Sequence, residues 1–286
     1  MNNNKMKIVE TLQDLKITLP GLNRPLGFVP TMGYLHEGHL SLVRRAKKEC
    51  TSVVVSIFTN PTQFAPDEDF ENYPRDIKRD LDMLNSEGTQ LVWIPTAESM
   101  YPENYQTWVD VEQVTKLLEG RYRPDHFRGV TTVVSKLFNA VRPDKAYFGQ
   151  KDAQQAIVIE QMVRDLNYQI DIVVCPIIRE SDGLAMSSRN TFLSNPERQA
   201  AVSLSQGLLM AETAYQKGER MADNLRQIVS DRIQAEPFTD LQYISCADPS
   251  SLQELSGKVD DCLISLAVYV GNTRLIDNVI CRENSS

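Results

Sequence analysis

From residue 26 to about residue 176 the chain repeats one pattern, a short β-branched run followed by a stretch with helical spacing. The expected strands are 26–29, 52–58, 90–94, 145–148 and 171–175, and the expected helices are 39–50, 76–86, 129–141 and 151–166. Consecutive parallel strands need a crossover, and an intervening helix supplies one, so this alternation predicts an α/β fold built on a parallel sheet. Runs such as Val53-Val54-Val55 carry no polar alternate and suit central strands covered by helices on both faces. Ligands of such sheets gather at the carboxyl ends of the strands.

Beyond the segment 179–190 the pattern changes. Two helical stretches, 196–216 and 221–235, precede three apolar strands near 241–246, 263–270 and 275–281, which predicts a smaller α+β domain. With 286 residues and a prior of roughly 150 per domain, two domains are expected, 1–178 and 179–286. The composition, 42% apolar and 24% charged, is that of a globular protein and excludes collagen-like and disordered classes.

A net charge of −8 sets the whole molecule against nucleic acid, so any bound anion must be held by locally gathered groups. No nucleic-acid or membrane partner is expected. The five cysteines are odd in number, widely spaced and lack a CxxC pair, which suits reduced thiols better than a disulfide framework or a zinc site. No signal-like apolar stretch opens the chain. The apolar run near 263–271 falls far short of the about 20 residues that span a bilayer, so the expected compartment is the cytoplasm.

Two of the three histidines, His36 and His39, fall in the string His36-Glu37-Gly38-His39, directly after the first expected strand and at the start of a helix. A helix N-terminus presents unpaired N–H groups and partial positive charge, and imidazoles there add donors aimed at the same anion. Gly38 lets a flat ligand approach the backbone. The placement points to a nucleotide phosphate, against paired surface histidines or a zinc pair as the other readings. A second string, Met186-Ser187-Ser188-Arg189-Asn190, lies at the expected domain junction. It offers hydroxyls and an always-charged planar guanidinium for polyphosphate, or merely a helix cap.

An HxGH string after the first strand and an MSSR-like loop after the sheet resemble the nucleotidylyl-transferase superfamily, which includes class I aminoacyl-tRNA synthetases with HIGH and KMSKS motifs. Six collinear strings narrow the resemblance: FVPTMGYLHEGH at 28–39, FTNPTQF at 58–64, HFRGV at 126–130, FGQKDAQQ at 148–155, DGLAMSSRN at 182–190 and TRLIDN at 273–278. Over roughly residues 7–282 the chain is similar to the pantothenate synthetase (pantoate–β-alanine ligase) family.

That resemblance implies a Rossmann-like sheet and a two-step reaction. ATP and (R)-pantoate give a bound pantoyl adenylate and pyrophosphate, then β-alanine attacks to give pantothenate and AMP, with Mg²⁺ accompanying the ATP. Carried over position by position, the ATP-binding residues are Met32, Gly33, Tyr34, Leu35, His36, Glu37, Gly38 and His39, then Gly149, Gln150, Lys151 and Asp152, with Ile178 against adenine and Met186, Ser187, Ser188 and Arg189 on the phosphates. His39 and His36 would stabilise the leaving phosphate, with His39 as proposed proton donor, and Lys151 and Arg189 would neutralise charge. Gln63 matches a glutamine that meets pantoate and β-alanine, Gln155 one that meets pantoate, and Asn60 is a neighbouring support. Neutral amides orient a nucleophilic carboxylate without quenching it. Asp80 would face the metal, although an acidic residue on a helix is more often solvated. His126 takes a structural place near the site. A homodimer is implied, with the strand at 263–270 or the one near Ser52 as candidate interfaces.

Three other activities fit parts of this pattern. A nucleotidyltransferase on another small acid or phosphate would stop at the adenylate, and a nucleotide sensor would make neither product. A dinucleotide-binding dehydrogenase is disfavoured because the first βα turn lacks GxGxxG, and the lack of a basic patch argues against tRNA as acceptor.

Overall fold

The structure, a computed structural model, describes residues 5–66 and 68–283. In chain order the elements are β1 Lys7–Val9, α1 Leu12–Thr18, β2 Leu26–Thr31, α2 Glu37–Glu49, β3 Ser52–Ile57, α3 Ile77–Ser86, β4 Leu91–Trp93, α4 Ala97–Met100, α5 Glu119–Tyr122, α6 His126–Val141, β5 Lys145–Gly149, α7 Ala153–Asp165, β6 Asp171–Cys175, α8 Asn195–Gln216, α9 Ala222–Gln234, β7 Thr239–Ala247, β8 Cys262–Val270 and β9 Thr273–Cys281. They fall into two compact units. The first comprises Met1–Glu112, Arg123–Gln150 and Gln155–Pro176, and the second Gln113–Tyr122, Lys151–Gln154 and Ile177–Ser286.

The first unit is the α/β body. Its six strands pair in the order β1-β4-β3-β2-β5-β6, every pair parallel. Chain order runs outward from β2 through β3 to β4 on one side and from β5 to β6 on the other, so the order reverses between β2 and β5. A crevice for ligand opens at the carboxyl ends of strands flanking such a reversal. Val53, Val54 and Val55 are all at most 1% exposed because side chains alternate into two covered faces. Val29, Val53 and Val55 join Leu42, Val43 and Ala46 of α2 in one cluster, while Phe28 meets Phe138 of α6 edge-on, with centroids 6.4 Å apart.

The second unit packs α8 and α9 on the antiparallel sheet β7-β8-β9 through Leu204, Leu208, Leu225, Val229, Ile264 and Leu266. Its short segments are tied together by the buried Gln154 side chain, which donates to the carbonyls of Val114 and Leu117 at 2.8 Å each and accepts the Glu119 amide at 2.9 Å. The two strands that the sequence offers as subunit interfaces, β8 and β3, are both interior strands with a hydrogen-bonded neighbour on each side. Their edges are therefore occupied. All five cysteines are free thiols, four of them buried.

The strand and helix pattern read from sequence is the one observed, with informative differences. α2 begins at Glu37 rather than residue 39 because His36 caps it, and α7 begins at Ala153 because Gln150–Asp152 forms a 3-10 turn first. β1, three residues long and partly exposed, is too short to show a period, and α1, α4 and α5 were likewise not expected. No described helix is long and apolar enough to cross a membrane.

Candidate active site

β2 delivers its carboxyl end into the turn Met32–Leu35, whose backbone takes the left-handed region at Gly33 (φ 88°) and Tyr34 (φ 51°). A side chain on Gly33 would meet Ile57 at 3.0 Å and Asp80 at 3.3 Å, so the position needs glycine twice over. Successive amides in such a turn converge into an anion-binding concavity. Here the chain fills it: the Asp80 carboxylate accepts the amides of Tyr34 and Leu35, each at 2.7 Å. Asp80 is completely buried, and desolvation raises its pKa against the pull of those two amides. It is neither a solvated helix residue nor aimed outward as a metal ligand, because both oxygens are engaged in holding the turn. Its place on the helical stripe Ile77, Asp80, Leu81, Leu84 is the signal that could have shown this. On the Tyr34 side the turn borders a cavity of about 240 Å³, lined in part by Phe70, Arg75, Asp80 and Pro95.

His36 is the N-cap of α2. Its side chain accepts the Gly38 amide at 3.1 Å through Nδ1, and Nδ1 of His39 accepts the His36 amide at 3.3 Å, a capping box made of two imidazoles 4.1 Å apart. Because each Nδ1 accepts a backbone N–H, the proton of each neutral ring sits on Nε2. A second proton on Nδ1 would place hydrogen against hydrogen and break the cap. The geometry thus commits Nδ1 of each ring to the cap.

Other residues of this string divide. Leu35 is fully buried in the α2 cluster, so only its backbone borders the turn. Glu37 pairs with Arg44 on the helix surface. The Met32 carbonyl accepts the Thr59 hydroxyl at 3.0 Å, and its sulfur accepts Nε2 of Gln63 at 3.1 Å.

Gln63 ends the 3-10 turn Pro61–Gln63, capped by the 1% exposed Asn60. α6 approaches this turn so closely that a Cβ on Gly129 would lie 2.2 Å from the Thr62 carbonyl oxygen, which explains the glycine in HFRGV. The same string supplies His126, whose Nδ1 donates to the Gln63 carbonyl at 2.8 Å, while Arg123 donates to it at 3.2 Å and pairs with Glu68 at 2.5 and 2.6 Å. His126 thus props the backbone of Gln63. Sequence reasoning passed over Arg123, Thr62 and Tyr101, which are distant in sequence from one another and share no motif. Gln155, half-buried on α7, is the neighbour of the structural Gln154.

β5, the neighbour of β2, ends in Gly149 and passes into the 3-10 turn that carries Lys151 and Asp152, whose side chains stand 3.6 Å apart. In the second unit two successive residues of β9 hold site segments. The buried Asn278 donates to the Lys151 carbonyl at 2.9 Å, and the buried Asp277 accepts Arg179 at 2.6 and 3.1 Å. Arg179 opens a hairpin in which Met186 donates to the Ile178 carbonyl at 3.0 Å and Gly183 turns at φ 97°. Asn190 donates to Glu180 at 2.8 Å and to the Ala185 carbonyl at 3.1 Å; Arg198 clamps Glu180 at 2.8 Å and Asp182 at 2.7 Å, holding the Asp182 carboxyl below its ordinary range. Ser187 caps the following 3-10 turn by accepting the Arg189 amide at 3.3 Å, and Ser188 is 6% exposed. Hydrogen bonds thus hold the MSSR segment in place, and the cap of α8 is Ser194 with Glu197. Among the described residues no group of three or more His, Cys, Asp or Glu side chains could hold a metal ion.

Known proteins share the sequence and the fold of this chain. The pantothenate synthetase of Acetivibrio thermocellus is 52% identical over 281 residues, covering 96% of this chain and 99% of that one. A crystal structure of pantothenate synthetase from Thermus thermophilus superposes with a TM-score of 0.93 at 42% identity, covering 97% of this chain and all of the other. A pantoate-beta-alanine ligase from Francisella tularensis, solved with beta-gamma ATP and beta-alanine, gives 0.81 at 33% identity over 98% of this chain and all of that one. The sequence profile described as pantoate-beta-alanine ligase matches residues 6–280, and the chain belongs to that family.

Proposed function

We propose that this chain condenses (R)-pantoate with β-alanine at the expense of ATP, through a bound pantoyl adenylate, releasing pyrophosphate and then AMP with pantothenate. The observation that carries this reading is a helix N-terminus bearing paired imidazoles at the end of β2, beside the strand whose end enters the Lys151 turn. The Francisella tularensis relative, whose structure holds an ATP analogue and β-alanine, supports ATP and β-alanine as ligands of this scaffold.

In this reading ATP lies along the Met32–His39 turn and the Gly149–Asp152 turn, with adenine against the Ile178 backbone and the phosphates met by Met186–Arg189. Attack of a carboxylate on the innermost phosphorus brings two anions together, so charge neutralisation and alignment dominate the barrier. Lys151 and Arg189 supply fixed positive charge. His36 and His39 donate from Nε2 to the departing phosphate, strengthening as its charge grows. Gln63 and Gln155 orient pantoate, Asn60 supports Gln63, and Gln63 also meets β-alanine. Mg²⁺ held by the ATP phosphates would neutralise further charge. The division into 1–178, which binds nucleotide and pantoate, and 179–286, which carries the MSSR segment, belongs to this proposal, as do a homodimer and, given the free thiols, a reducing cytoplasm.

The test is pyrophosphate release with pantoate, with and without β-alanine. The expected result is a single equivalent with pantoate alone and continuous turnover to AMP and pantothenate when β-alanine is added. Adenylate release without amide formation would favour a nucleotidyltransferase, and no pyrophosphate under either condition would sink the ligase reading.

A further inference from the structure

The two ends of an amide side chain differ in hydrogen-bonding sense, so its partners decide what it offers a ligand. Around Asn60 those partners are fixed by the backbone. The Gly129 carbonyl, which only accepts, lies 3.2 Å from one end and therefore faces Nδ2; the Thr62 amide, which only donates, lies 3.4 Å from the other and faces Oδ1. Nδ2 of Asn60 is also 3.0 Å from Gln63, so the atom it meets must be Oε1. Gln63 is then left with Nε2 on its remaining side, next to the weak acceptor Met32 Sδ.

Tyr101 closes this chain. Its hydroxyl donates to Asn60 Oδ1 at 2.9 Å, and the Thr62 hydroxyl stands 3.2 Å from it and 3.0 Å from the same oxygen. The Tyr101 ring is itself boxed by Tyr105 at 5.1 Å and Trp108 at 6.3 Å, with Lys136 over its face at 5.7 Å. We infer that Tyr101 is a positioning residue which, through Asn60, holds the Gln63 amide with Nε2 toward the substrate, so that this subsite takes a hydrogen-bond acceptor such as a carboxylate or hydroxyl oxygen. The inference rests on the reading of Gln63 as a pantoate ligand and adds what sets its sense. Tyr101 is a donor at ordinary pH as any phenol is, and burial, which pushes its pKa up to about 12, extends that range.

The experiment measures KM for pantoate and for ATP by pyrophosphate release in the full chain, with thermal unfolding as a check on folding. Tyr101→Phe should raise KM for pantoate about fivefold and leave KM for ATP within about twofold, the loss of one neutral hydrogen bond. In a Gln63→Ala background the same change should do nothing further, because its only route is removed. Gln63→Glu keeps an acceptor toward Asn60 but presents a carboxylate outward, and should weaken pantoate at least as much as Gln63→Ala. Equal rises in both KM values, or a Tyr101→Phe effect that persists without Gln63, would overturn the relay. Ordinary pantoate affinity in Gln63→Glu would overturn the polarity argument even if Tyr101→Phe failed to fold. An unchanged pantoate KM in Gln63→Ala would instead remove the ligand reading itself.

Discussion

His36 and His39 fix each other's backbone across three residues, whereas Arg179 is fixed by Asp277, 98 residues away. The first arrangement builds a turn from local capping and closes it with one imported carboxylate, Asp80. The second builds a hairpin and holds it from outside, through β9 and Arg198. A site segment can thus be shaped by its own sequence or by distant strands, and the two should respond differently to mutation.

The largest effect is expected at Asp80, the buried carboxylate that closes the turn. Asp80→Asn keeps the shape but sets an NH₂ group against a backbone N–H in a dry interior, costing about 2–4 kcal/mol of stability. The displaced turn should lower pyrophosphate-forming activity about 10²-fold. Urea unfolding and initial rates check both, and wild-type values would show that the turn holds itself. Asp277→Ala strands Arg179, but that guanidinium is 31% exposed and can rehydrate, so the loss should be smaller, about 1–3 kcal/mol. If it equals or exceeds the Asp80 effect, the contrast between the two segments fails.

The local caps come next. His36→Ala should cost about 1 kcal/mol and His36→Asn almost none, because asparagine caps as well, yet both should lose activity. His39→Gln preserves the capping box and an N–H donor, so it should retain more activity than His39→Ala. Equal, complete inactivation of the two His39 variants would favour proton transfer as the role of His39. The smallest effect is in pH. Tyr101 holds its proton up to about 12 in the folded chain, against about 10 when unfolded. Between those values the native state binds more protons, so stability should decline as pH rises from about 10 to about 12. Alkaline denaturation should show less of this slope in Tyr101→Phe.

Legibility in the sequence followed distance along the chain. The strands from β2 to β6 and the helices after them were readable because apolar periodicity is a property of ten neighbouring residues, and the HxGH turn because its cap closes within four. TRLIDN was visible only as a resemblance. Its use, with Asp277 on Arg179 and Asn278 on Lys151, emerges once β9 lies beside segments from elsewhere. The apolar stripe that carries Asp80 was legible, but its partners, the amides of Tyr34 and Leu35, stand 46 and 45 residues away and were not.

What these 286 residues determined alone was the α/β class, the switch from helix-separated strands to an antiparallel sheet, and the motifs that identify the family. The tertiary structure decided which side chains are spent on holding other segments, such as Gln154 on Val114, Leu117 and Glu119 and Asn278 on the Lys151 carbonyl. Local periodicity specifies which face of an element is buried, but the direction of a hydrogen bond exists only when both partners are in place.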